Sequence, residues 1–94
     1  MEINVIDAKN LISNNKIVFL DVRTLEERNM NKIEESIHIN FYDDDFEEKI
    51  KLLDKSKKYV VYCRSGTRSF YVVKFMLDNG FYAKNLVGGL IEWY

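Results

Sequence analysis

Tyr59-Val60-Val61-Tyr62-Cys63-Arg64-Ser65-Gly66-Thr67-Arg68-Ser69 is the stretch that decides the fold. Residues 59–63 form a short, unbroken run of β-branched and aromatic side chains. That is the pattern of a central parallel strand covered on both faces. Residues 67–79 then read as a very apolar helix, with Asn79-Gly80 as a glycine terminator. The intervening loop sits at the carboxyl end of a strand, where open parallel sheets place their chemistry. Successive N–H groups around Gly66 can curl into a cradle, and the helix start adds partial positive charge. Arg64 and Arg68 contribute two fixed charges. A thiol in such a ring is expected to have a lowered pKa and to be largely thiolate at neutral pH. A lone Cys at a strand end is usually a small buried hydrophobe. The Arg-Ser-Gly-Thr-Arg continuation makes Cys63 a candidate nucleophile instead, because burying two Arg without an anion is costly. Three of the four Arg, at 23, 64 and 68, fall at the ends of the apolar strands or in this loop.

Working outward, Ile17-Val18-Phe19-Leu20-Asp21-Val22 is a second buried strand. Ser36–Ile39 and Lys84–Val87 read as weaker strands, and Ile3–Val5 as an edge strand. Asp7 is expected to cap a helix over 8–14. Thr24-Leu25-Glu26-Glu27 has the form of a capping box. Residues 43–54 read as an amphipathic helix with three Asp at its positive end and Phe46, Ile50 and Leu53 on its apolar face. Strands alternating with helices predict an open parallel α/β sheet. Phe70, Phe75 and Trp93 are assigned to the core.

The chain has 94 residues, enough for one domain spanning 1–94. A hydrophobic share of 47% with 31% charged excludes a disordered chain. Fourteen basic against 15 acidic residues, with Lys55-Ser56-Lys57-Lys58 as the only basic run, argue against a nucleic-acid partner. No apolar run approaches about 18 residues, so no membrane span is expected. The N-terminal residues lack the basic and apolar segments of a signal peptide. A single Cys cannot form an internal disulfide, and a cytoplasmic location is expected. Asp43-Asp44-Asp45 could suggest a metal, but consecutive carboxylates at a helix start fan out, and no metal or cofactor is expected. Gly88-Gly89 lacks the spacing of a nucleotide fingerprint and reads as a tight turn against the Cys63 loop.

Four segments together resemble the ordered signatures of a single-domain rhodanese, or thiosulfate sulfurtransferase. They are Asp21-Val22-Arg23-Thr24, Cys63-Arg64-Ser65-Gly66-Thr67-Arg68-Ser69, Gly80-Phe81, and Val87-Gly88-Gly89-Leu90 with Trp93. The resemblance runs from about residue 3 onward. It implies a five-stranded parallel sheet flanked by helices and a cysteine that carries sulfur as a persulfide. Cys63 would be the nucleophile. The backbone amides of Arg64, Ser65, Gly66, Thr67 and Arg68 would hold the transferred sulfur, and the two Arg would favour an anionic donor. Asp21 would be largely structural, and Arg23 would organise the neighbourhood of the loop. The partners implied are a small anionic sulfur donor, a thiol or cyanide acceptor, and a sulfur-relay protein.

The chain departs from the family at several points. Where many members have Gly-His-Ile-x-Gly-Ala, it has Asn31-Lys32-Ile33-Glu34-Glu35-Ser36. His38, amid Ile37 and Ile39, is read as structural. Val72 and Val73 replace small residues and are expected to alter packing only. The sequence stops one residue after Trp93, from which a more open site is expected.

Three functions compete. The first is sulfur transfer, with covalent catalysis in two half-reactions. The second is phosphatase or arsenate reductase chemistry, whose loops place five residues between Cys and Arg. Here there are four, a cradle sized for one sulfur atom. No acidic residue is evident as a general acid for that chemistry. The third is a non-enzymatic persulfide carrier or regulatory module.

Overall fold

A computed structural model describes all residues from Met1 to Tyr94. In chain order the elements are β1 (Glu2–Ile3), α1 (Val5–Lys9), β2 (Ile17–Asp21), α2 (Leu25–Met30), β3 (Ile37–His38), α3 (Phe46–Lys51), β4 (Lys58–Tyr62), α4 (Thr67–Asp78), β5 (Tyr82–Leu86) and α5 (Gly89–Trp93). The five strands form one sheet in the order β1-β5-β4-β2-β3, and every neighbouring pair is parallel. The expected α/β architecture is therefore present, with β4 at the centre. Its register sets Asp21 beside Tyr62, so the ends of β2 and β4 lie level and the Cys63 loop leaves from that edge.

Alternation along the two apolar strands fills two cores. Leu20, Val61 and Cys63 face the larger one, under Phe46 and Ile50 of α3 and Val72, Val73 and Met76 of α4. Phe19, Val60 and Tyr62 face the other, under Ala8 of α1 and Leu90 of α5. Both faces are covered, which is why these runs carry no polar alternation. Trp93 packs edge-on to Phe19 at 5.9 Å between ring centroids, and Phe75 packs against the larger core. Phe70 does not. It lies on the outward side of α4 and is 51% exposed, a correction to its assignment. No helix is long and apolar enough to cross a membrane.

Several boundaries differ from expectation for local reasons. α1 starts earlier because Asn4, not Asp7, caps it, its Oδ1 accepting from the Asp7 N–H at 2.8 Å. It ends at Lys9, before a Ser/Asn-rich stretch that favours turns. Asp43–Asp45 form a turn ahead of α3 rather than its first residues; Asp45 is the N-cap residue but makes no side-chain cap bond. Lys49 reaches back to Asp43 and Asp45 at 3.2 and 3.4 Å. β1 is cut short where α1 begins at Val5. β5 starts two residues before its expected position, because Tyr82 and Ala83 pair with Lys58 and Tyr59. The Thr24 capping box is present in full, each partner's side chain bonded to the other's backbone N–H.

Candidate active site

The loop from β4 to α4 is held from beneath by backbone. The Leu90 and Ile91 N–H groups, free in the first turn of α5, donate to the Cys63 and Arg64 carbonyls at 2.9 and 3.1 Å. Gly89 makes this approach possible. Its φ is +63°, and a Cβ there would fall 2.7 Å from the Ser65 nitrogen and closer still to the Arg64 carbonyl. Gly88-Gly89 is thus the tight turn against the loop that the sequence suggested. Gly66, at φ +103°, turns the chain into α4 and aims its own N–H at Cys63 Sγ, 3.1 Å away.

Cys63 is 1% exposed. Its sulfur lies 3.4 Å from Ser69 Oγ. Behind Ser69 stands Asn85 of β5, buried within the sheet. Asn85 Oδ1 accepts from the Ser69 hydroxyl at 2.5 Å, and its Nδ2 donates to the Gly66 carbonyl at 3.0 Å. Burial pushes the thiol pKa up. The Ser69 hydroxyl and the N–H groups of Ser69, Gly66 and Ser65 outweigh it and leave the thiol below its ordinary value. The expected lowering is present, but its main causes are hydrogen bonds and not the two Arg.

Those Arg need a correction. Neither is buried without a partner. Arg64 is exposed, on the wall of a cleft of about 510 Å³ shared with Arg23, Glu27, Met30, Ile91 and Tyr94. Arg68 is turned toward α2, where its two terminal nitrogens grip Glu27 at 2.8 and 2.9 Å. Its guanidinium also lies 5.8 Å from the Tyr42 ring centre. An acidic side chain that the sequence reading did not place there therefore stands at the loop. It is a poor proton donor: Arg68 holds the Glu27 carboxyl down at about 2, with help from Thr24. Ser65 and Thr67 lie exposed on the loop's outer side.

Asp21, at the end of β2, is fully buried. It takes the Arg23 side chain at 3.0 and 2.9 Å, the Arg23 N–H at 2.9 Å, Arg28 at 3.2 Å and the Tyr62 hydroxyl at 3.1 Å. Arg23 continues to the Asn31 carbonyl at 2.6 Å, and Arg28 to the Ser36 carbonyl at 2.6 Å. Both Arg thus pin the segment after α2 to the sheet edge beside the loop. His38 Nε2 lies 2.7 Å from the Arg23 carbonyl, a structural contact. No group of three His, Cys, Asp or Glu side chains converges as metal ligands would.

Arg28, Glu27 as the Arg68 partner, and Asn85 were not identified from sequence as parts of this neighbourhood. Asn85 carried one weak signal, an amide between Ala83 and Leu86 in a strand whose other charged or amide side chain is Lys84.

The family model described as Rhodanese-like domain matches residues 4–94. YtwF of Bacillus subtilis (strain 168), which bears a sulfurtransferase name, is 40% identical over 78 residues, 83% of this chain and 74% of that protein. The tRNA sulfurtransferase of Haemophilus influenzae (strain PittEE) is 31% identical over 84 residues, 85% of this chain. The match spans only 17% of that enzyme's length. The crystal structure of a rhodanese-related protein from Thermoplasma volcanium superposes with a TM-score of 0.89 at 34% identity, over 98% of this chain and 88% of that one.

Proposed function

Because this chain belongs to the rhodanese-like domain family, we propose that it is a sulfurtransferase working through a persulfide on Cys63. The observation that carries this reading is the Gly66 N–H aimed at Cys63 Sγ from 3.1 Å. Only four residues separate Cys63 from Arg68. A buried sulfur with donors converging on it is stabilised as thiolate and needs no general base. The thiolate attacks the outer sulfur of an anionic donor such as thiosulfate. A new S–S bond forms, the donor's S–S bond breaks, and sulfite leaves with the electron pair. Cyanide or an acceptor thiolate then attacks the outer sulfur, and Cys63 leaves as thiolate.

Arg64 is the cation free to meet the donor, since Arg68 is engaged by Glu27. The loop amides of residues 64–68 cradle the outer sulfur. Asp21 and Arg23 hold the sheet edge in place. A phosphatase would need a protonated acid near the leaving group, and Glu27, held at about 2, is ionised at neutral pH. A free thiol suits a cytoplasmic setting, and a sulfur-relay protein is the macromolecular acceptor this chemistry allows.

The test is the intact mass of the protein before and after thiosulfate. Wild type should gain one sulfur atom that a reductant removes, and Cys63→Ser should gain none. A wild type that never gains sulfur, or a Cys63→Ser that does, overturns the reading. Adding cyanide separates two modes: rapid thiocyanate release marks an enzyme, and loading with slow release marks a carrier.

A further inference from the structure

We propose that Asn85 is a positioning residue for Cys63, holding the Ser69 hydroxyl proton away from the sulfur until the thiol ionises. The inference rests on Cys63 being the reactive thiol of the proposed function.

Hydrogen-bond bookkeeping forces the assignment. The Gly66 carbonyl can only accept, so the nitrogen of the Asn85 amide must face it, at 3.0 Å. The amide oxygen therefore faces Ser69. It too can only accept, and at 2.5 Å it takes the single hydrogen of the hydroxyl. With that hydrogen committed, the 3.4 Å contact between Ser69 Oγ and Cys63 Sγ has one possible donor, the thiol S–H. In this arrangement no buried side-chain polar atom lacks a partner.

Ionisation removes the S–H. The sulfur becomes an acceptor facing an oxygen lone pair, so the hydroxyl must rotate from Asn85 to the sulfur. Asn85 Oδ1, in a residue 5% exposed, then loses its donor. The stabilisation that Ser69 gives the thiolate is thereby opposed by what Asn85 loses. Once the sulfur carries a second sulfur it is no longer an anion, and the hydroxyl returns to Asn85. The same amide also fixes the Gly66 peptide whose N–H points at the sulfur. One side chain on β5 thus sets both of the closest donors to Cys63.

The test is the pH dependence of Cys63 alkylation by iodoacetamide, clean because the chain has one Cys. Ser69→Ala should raise the midpoint, since the thiolate loses a donor. Asn85→Ala should lower it by about half to one pH unit, the equivalent of one net hydrogen bond, because the hydroxyl is released to the sulfur. In a Ser69→Ala background no hydroxyl remains to be released, so Asn85→Ala should give no downward shift; any change left there is upward, from the loosened Gly66 peptide. An upward shift in Asn85→Ala, or equal shifts in both backgrounds, overturns the proposal. Should Asn85→Ala not fold, wild type gives the answer by NMR. The Asn85 side-chain carbonyl carbon should titrate with the Cys63 midpoint, and a carbonyl that does not respond overturns the relay. No sulfur donor enters either measurement, so a failure here is distinct from a failure of sulfur transfer.

Discussion

Glu27 serves two elements at once. Its carboxylate accepts from the Thr24 N–H and hydroxyl at 3.2 Å each, closing the start of α2, and it holds Arg68 of α4. Glu27→Gln keeps the size and removes the charge. It should cost about 1 kcal/mol at neutral pH, given a pair that is partly exposed. The folded carboxyl sits near 2, below its ordinary 4.5. Its contribution is therefore complete above about 4.5 and is lost as pH falls through about 2. Urea unfolding at several pH values should show the gap between wild type and variant closing over that window; a gap independent of pH would remove the ion pair from the account. Glu35 presents the opposite case. It is the one non-glycine residue at positive φ, +66°. Glu35→Gly should raise stability by about 1 kcal/mol by relieving the left-handed conformation, read as a higher urea midpoint with unchanged slope. Cys63 and Gly66 could be picked out from sequence because their chemistry lies within one short loop. Asn85 could not, because its partners are 16 and 19 residues away and only the sheet brings them together.

At the scale of elements, α5 is five residues long and its N-cap residue, Gly88, makes no side-chain cap bond. Two of its free N–H groups are used instead on the Cys63 and Arg64 carbonyls. The helix is thereby the floor of the loop, and Gly89 is the point of contact. Gly89→Ala should cost more than about 2 kcal/mol, adding a backbone collision to left-handed strain, and should abolish sulfur loading. Gly80→Ala is the comparison. It has a similar φ of +84°, but the nearest atom to an added Cβ is Lys55 Nζ at 3.9 Å. It should cost about 1 kcal/mol and leave loading intact. Equal losses in the two variants would reduce Gly89 to a turn former. The same scale explains the boundaries. β2, β4 and α4 were legible because each is a strong, continuous pattern. α1 shifted because one side chain, Asn4, decides where it begins, and α3 because the Asp43–Asp45 turn precedes it.

Across the whole molecule, two buried strands flanked by helices were enough to read a parallel α/β sheet, since only coverage on both faces tolerates such runs. The Asp21 cluster was half legible. Arg23 is two residues away and was an obvious partner, whereas Arg28, Tyr62 and Ser36 join through tertiary packing alone. The strand order has a consequence in time. β1 has one neighbour in the sheet, β5; the N–H groups of Asn85 and of Val87, just past the strand's end, donate to the Met1 and Ile3 carbonyls. A ribosome adds about 5–20 residues per second, so the first strand waits several seconds for its mate to be made. The Cys63 loop waits as well, because Asn85, Leu90 and Ile91 all follow it in the chain. Through that interval the nascent polypeptide lacks the Asn85 contact to Ser69 and the α5 floor, so on the function proposed above its thiol is not fully set until β5 and α5 are in place.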